Sequence, residues 1–292
     1  MALVKPRNSN AREIEHMPFS QNTEIKMYYE LDGSGDKVLF ISGTGGDLRV
    51  KPNVLDGPLP GSYTTLAFDQ RGLGQTEKPI DEYSMEQYAD DAASLMDEVG
   101  WETAHVVGVS FGGMVAMHFA IRHSCRISKL VLCCTSPGGA SMASYPLHEI
   151  PADTDDAEKI RFMMGIGDMR FDADWQKANQ KQVEEIVQQS LKVLHPDQSL
   201  AETRAGSIRQ LEARSHHDVV DNLKDITMPT LICAGRYDGL APTKNQQAMC
   251  DRIPDAKISW FEGGHMFLIQ DKTAWEKIIS FLGDSAQDSL DH

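Results

Sequence analysis

The feature that most constrains this chain is an alternation of two periodicities, interrupted once. Residues 37–42 (KVLFIS), 63–69 (YTTLAFD), 104–109 (AHVVGV) and 129–134 (KLVLCC) are short, apolar and bounded by Gly, Asp or Ser, and read as buried strands. Between them residues 84–99 carry a helical pattern, with Ser84 as N-cap, Gln87 three residues on and Gly100 as the stop. Residues 111–123 read as a second helix. Near-continuous apolar strands alternating with helices predict an α/β fold with a mostly parallel sheet, covered on both faces.

The rhythm stops at about Ser141 and resumes after Asp221. The block between has helical segments and no convincing strand. Then come a strand at 230–235 (TLICAG), a helix at 243–252, a strand at 257–261 (KISWF) and a closing helix at 273–282. The expected organisation is a core in two parts, residues 1–140 and 222–292, around a helical cap at 141–221. Its acidic run at 153–158 reads as a solvated helix start. The tail beyond Leu282 is polar and expected to fray.

Composition narrows the function classes. With 28 basic and 43 acidic residues among 292, the net charge is −15, which disfavours nucleic acid and anionic membrane surfaces as partners. The first 17 residues have no apolar stretch of the secretory kind. Five cysteines without a CxxC spacing read as free thiols in a reduced, cytoplasmic setting, with no metal site. Cys133 and Cys134, as strand neighbours, are expected on opposite faces. His216 and His217 diverge on a helix and make a poor metal pair.

Gly108-Val109-Ser110-Phe111-Gly112 fits G-x-S-x-G and sits between a buried strand and a helix. A nucleophile on so sharp a turn needs glycines where strand and helix crowd it. The Phe111 N–H, at a helix N-terminus, is then a donor for an oxyanion. Serine needs a base. Among ten histidines, His265 follows the last strand and precedes the last helix, in a loop with Gly263 and Gly264. The acid that orients it should lie on a strand-end loop, and Asp238 follows the strand 230–235. Glu262 is too near His265 along the chain, and Asp225 precedes its strand. The order Ser110, Asp238, His265 suits this class of site. The loop Ser42-Gly43-Thr44-Gly45-Gly46, after the first strand, suits a second backbone oxyanion donor. It has no lysine and no phosphate-loop spacing, and no G-x-G-x-x-G bridges a strand and a helix here.

With these residues in place the chain resembles the α/β-hydrolase fold family, over about residues 25–282. The resemblance is to its small capped esterases, enol-lactonases and carbon–carbon bond hydrolases. It includes Asp69-Gln70-Arg71-Gly72-Leu73-Gly74-Gln75-Thr76, similar to the family's D-x-R-G-x-G-x-S with Thr76 for the serine, and Ser136-Pro137-Gly138-Gly139 before the cap. Asp69 and Arg71 are read as structural. Where the family commonly has His-Gly before the oxyanion residue, this chain has Ser42-Gly43, so the resemblance implies Thr44 as donor, with Gly45 as the alternative.

The implied activity is hydrolysis of a small-molecule ester or lactone through an acyl-enzyme, without metal or organic cofactor. Carbon–carbon bond hydrolysis and cofactor-free perhydrolysis would use the same triad, and a slow-turnover receptor is a further reading. Serine at the elbow argues against the dehalogenases and epoxide hydrolases, which resemble this chain but use aspartate there. Gly43, Gly45, Met142, Met163, Met266 and Phe267 are expected to line the pocket. Most other apolar residues of the cap, among them Phe162, Met169, Phe171 and Trp175, are expected to form its own core. The sequence does not specify an oligomeric state.

Overall fold

A computed structural model describes residues 18–21, 23–151, 153–193 and 200–284. The expectations about the first 17 residues and the tail past 284 lie outside the described residues. Seven strands form one sheet in the order β1-β3-β2-β4-β5-β6-β7. They are β1 (Tyr29–Asp32), β2 (Lys37–Ile41), β3 (Thr64–Phe68), β4 (Ala104–Val109), β5 (Ile127–Cys133), β6 (Thr230–Gly235) and β7 (Ala256–Phe261). β1 runs antiparallel to β3, and the other pairs are parallel.

β1 is the strand that periodicity does not reveal. Its sequence, YELD, is half charged, because it is an edge strand with only Tyr29 buried. In the interior strands neighbouring residues alternate between two apolar clusters. Leu39, Val106, Leu130 and Ile232 face one side. Val38, Val107, Val131 and Leu231 face the other. Both faces are therefore buried, which is why these strands read as continuous apolar runs.

Helix α1 (Met85–Glu98) begins with the predicted box: Ser84 Oγ accepts the Gln87 N–H, and Gln87 Oε1 accepts the Ser84 N–H. Gly100 ends the turn at φ +68°. Helix α2 (Phe111–Arg122) is buried from Phe111 through Ala120, so it is apolar on all sides rather than along a stripe.

Between β5 and β6 the described residues contain helices and no strand: α3 (Gly139–Met142), α4 (Asp156–Gly167), α5 (Ala173–Ala178), α6 (Gln180–Val193) and α7 (Ala201–Ser215). Asp155, in the acidic run, caps α4 by accepting the N–H groups of Ala157 and Glu158. The core resumes with β6, α8 (Thr243–Cys250), β7, α9 (Phe267–Gln270) and α10 (Thr273–Gly283).

Two expectations need correction. Cys133 and Cys134 do not face opposite sides; both join Cys233 in one apolar cluster. Cys134 lies past the strand end at φ +40°, where strict alternation no longer applies. All five cysteines are free thiols. The apolar residues of α4 and its neighbours do not form a buried core: α4 has no buried residue, and Phe162 and Met169 are exposed. Among the described residues of 141–221, Leu147, Val183, Val187, Ala213 and Val219 are the buried apolar side chains instead.

Candidate active site

Sheet order locates the site before any side chain does. From β2 the chain moves outward to β3, and from β4 it moves the other way to β5. The loops leaving these adjacent strands diverge, and a crevice opens at their carboxyl ends. The loop after β2 contains Thr44, and the turn after β4 contains Ser110.

Ser110 adopts φ +56° and ψ −116°, outside the regions comfortable for a non-glycine residue. Its neighbours hold it there. The Ser110 N–H donates to Cys133 O at 2.8 Å, and Thr135 Oγ1 donates to Ser110 O at 2.8 Å. A Cβ on Gly112 would lie 2.0 Å from Ile41 O, and one on Gly108 would lie 2.4 Å from Gly112 O. Both glycines of the motif are thus fixed by backbone approach.

Asp238 follows β6 and is 1% exposed. Its Oδ1 accepts the backbone N–H groups of Leu240 and Ala241, at 2.9 and 2.8 Å. That leaves Oδ2 for His265, whose Nδ1 lies 2.9 Å away. A carboxylate only accepts, so Nδ1 carries the proton and Nε2 presents its lone pair. Nε2 lies 2.9 Å from Ser110 Oγ, the geometry in which the hydroxyl donates to the imidazole. Three residues from three strand-end loops therefore form one hydrogen-bonded line. The rivals lie elsewhere: Glu262 pairs with Arg236 at 3.1 Å, and Asp225 accepts from Asn222 at 3.1 Å.

The loop after β2 lies against the serine, since a Cβ on Gly43 would be 3.4 Å from Ser110 Cβ. Of the two alternative donors, the Gly45 N–H is committed to Gln210 Oε1 at 3.0 Å. The Thr44 N–H has no acceptor among the described residues, and neither has the Phe111 N–H in the first turn of α2.

The pocket residues divide. Met142 and Met163 are half-buried, and Met266 is 55% exposed beside His265. Phe267 is not a lining residue. It is fully buried and stacked on Phe261, with ring centroids 5.0 Å apart. The turn at Met266 directs the next side chain inward, which adjacency to His265 could not show.

Sequence reasoning also missed what holds the acid and base loops. The end of α4 and the residues after it bind both. The His265 N–H donates to Gly167 O at 2.5 Å, the Gly239 N–H to Ile166 O at 3.0 Å, and the Met169 N–H to Tyr237 O at 2.9 Å. Asp168, 3% exposed, accepts from Gln270 Nε2 at 3.0 Å, and Gln270 Oε1 accepts the Gly264 N–H at 2.8 Å. No periodicity marks such contacts.

His217 likewise finds a partner far along the chain. Its Nε2 lies 3.0 Å from Ser136 O, which only accepts, so Nε2 carries the proton. His217 Nδ1 then accepts from His118 Nε2 at 3.1 Å, while His216 stays exposed. Among the described residues no group of three or more His, Cys, Asp or Glu is placed to hold a metal ion. No helix there is long and apolar enough to cross a membrane.

Comparison with known proteins fits this geometry. A family model for the alpha/beta hydrolase fold matches residues 36–272. A protein of Azorhizobium caulinodans, by name a carbamate hydrolase, RutD, is 25% identical over 283 residues, covering 93% of this chain and all of that one. A poly(3-hydroxyalkanoate) depolymerase of Ectopseudomonas oleovorans is 27% identical over 261 residues, covering 87% of each chain. Among solved structures, the enol-lactonase of Burkholderia xenovorans superposes with a TM-score of 0.73 at 21% identity, covering 91% of this chain and 100% of that one. A meta-cleavage product hydrolase of Pseudomonas fluorescens gives 0.71 at 22%, covering 90% and 96%.

Proposed function

The chain belongs to the alpha/beta hydrolase fold family, and from that premise we propose that it is a serine hydrolase that cleaves a small-molecule carboxylic ester or lactone. The observation that carries this reading is the position of His265, 2.9 Å from both Ser110 Oγ and Asp238 Oδ2.

Ser110 Oγ attacks the substrate carbonyl carbon while His265 Nε2 takes its proton. The oxyanion that forms is stabilised by the N–H groups of Thr44 and Phe111, each worth about a hundredfold or more in rate. The tetrahedral intermediate collapses and expels the alcohol, which takes the proton from His265. Water then attacks the acyl-enzyme by the same route and releases the acid. Asp238 keeps His265 in the tautomer that accepts at Nε2 and stabilises its cation. No step calls for a metal or organic cofactor.

Residues 141–221 serve as a cap over this site, and five free thiols suit a reducing, cytoplasmic compartment. The relatives act, by their names, on a carbamate, a poly(3-hydroxyalkanoate), an enol-lactone and a meta-cleavage product, so the bond cleaved must be tested directly. A turnover panel of short and long acyl esters, lactones and a dienoic diketone, on the wild type and Ser110→Ala, does this. Ester or lactone turnover that disappears in the folded Ser110→Ala variant supports the reading. Exclusive turnover of the diketone, or activity that survives in the variant, refutes it.

A further inference from the structure

Helix α7 buries a face that is polar where an apolar one is expected. Thr203, Gly206, Gln210, Ala213 and Arg214 are its buried residues. Gly206 lies on the Gly72 turn, where an added Cβ would be 2.0 Å from Gly72 O. Gln210, four residues on, binds Gly45. Arg214, four further, lines a cavity of about 380 Å³ between this helix, α2 and the chain after β5.

Arg214 is 7% exposed, and a guanidinium so buried ordinarily has a carboxylate partner. Its Nη2 donates to Ser144 Oγ at 2.6 Å and to Tyr145 O at 2.8 Å, both neutral acceptors. Its Nε and Nη1 have no acceptor among the described residues, and no carboxylate there lies within ion-pair distance. Burial, with no neighbouring acid to oppose it, lowers the Arg214 pKa to about 10. The acid on the cavity wall, Asp218, accepts the Val220 N–H and sits against Gly139.

The rest of the wall is mixed: Met114, Ala140, Ala143 and Pro146 form an apolar part, and Ser144, His148, Ser215, His216 and His217 a polar one. Met114 stands one helical turn beyond Ser110 on α2, as Arg214 stands one turn beyond Gln210 on α7. At a rise of about 1.5 Å per residue, these two lining residues stand about 6 Å along their helix axes from Ser110 and Gln210.

We propose that this cavity is a binding site for the carboxylate of a small organic acid, paired with Arg214, whose apolar part packs on Met114, Ala140, Ala143 and Pro146. A guanidinium offers parallel donors that match a carboxylate's two oxygens, and the cavity is of ligand-binding size. The inference goes beyond the hydrolase reading and does not depend on it.

Calorimetry on the full chain at pH 7 tests it with three probes: hexanoate, the isosteric neutral hexanamide, and inorganic phosphate. Hexanoate should bind at least tenfold more tightly than hexanamide, and more tightly than phosphate. Arg214→Met should remove the preference for the acid while leaving hexanamide affinity unchanged, which also reports that the cavity persists. Arg214→Lys keeps the charge without the fork and should retain part of the preference; it decides the matter if the methionine variant does not fold. Equal affinity for acid and amide in the wild type overturns the proposal. So does an undiminished preference in Arg214→Met, which assigns the acid to another site, or tighter binding of phosphate, which assigns the cavity to inorganic anions.

Discussion

Gln210 Oε1 accepts the backbone N–H of Gly45 at 3.0 Å, joining residues 165 positions apart. Gln210 is fully buried on α7, and Gly45 lies beside Thr44 in the loop against Ser110. From the other side Gln70 Nε2 donates to Ser42 O at 2.8 Å. Two buried side-chain amides thus hold the loop that offers the Thr44 N–H, and one of them comes from α7, between β5 and β6.

Gln210→Met keeps the length of the side chain and removes the acceptor. A net hydrogen bond is worth about 1 kcal/mol, so kcat should fall about fivefold, with KM nearly unchanged. Steady-state kinetics on a short acyl ester measures both. A rise in KM at constant kcat would show that Gln210 contacts substrate rather than the loop.

Gly112 and Gly61 make a matched pair for packing at the serine turn. A Cβ on Gly112 meets Ile41 O at 2.0 Å and Ser42 O at 2.5 Å, whereas one on Gly61 meets nothing within 4 Å. Gly112→Ala should cost about 3 kcal/mol or more and lower soluble yield. Gly61→Ala should stay within about 0.5 kcal/mol of wild type. Denaturant unfolding of both variants is the measurement, and equal midpoints would contradict the close approach.

Arg71 and Asp91 form a buried two-bond ion pair, Nε and Nη2 each 2.8 Å from a carboxylate oxygen. Burial pushes the Asp91 pKa up, and Arg71 counters this. Arg71→Met leaves that carboxylate buried without its partner and should destabilise by about 3–5 kcal/mol. Adding Asp91→Leu should recover most of the loss, as chemical denaturation of the double variant will show. Activity per folded molecule should remain near wild type, because neither residue contacts the serine line.

His217 gives stability a pH dependence of definite sign. Burial lowers its pKa from 6.5 to about 3. Below 6.5 the unfolded chain takes a proton that the folded chain refuses, so the stability present above 6.5 is lost as pH falls toward 3. The slope should approach about 1.4 kcal/mol per pH unit once the unfolded imidazole is charged. Unfolding free energies between pH 7 and 4 should fall more steeply for wild type than for His217→Gln. Parallel curves would mean that the buried imidazole does titrate in the folded state.

Much of the framework was readable from residue order. Six of seven strands, the α1 capping box and the glycines of the serine turn are local signals, written in spacing and in residues that tolerate particular backbone angles. The residues of the serine line were legible because each follows a strand, and parallel strands bring their carboxyl ends to one edge. β1 was not legible, since an edge strand needs no apolar run. Tertiary structure alone decided that Phe267 turns into the core, that Gln210 reaches Gly45, that the end of α4 holds the acid and base loops, and that Arg214 is buried with no carboxylate partner among the described residues. Periodicity reports which face of an element is buried; which groups meet depends on where elements distant in sequence cross.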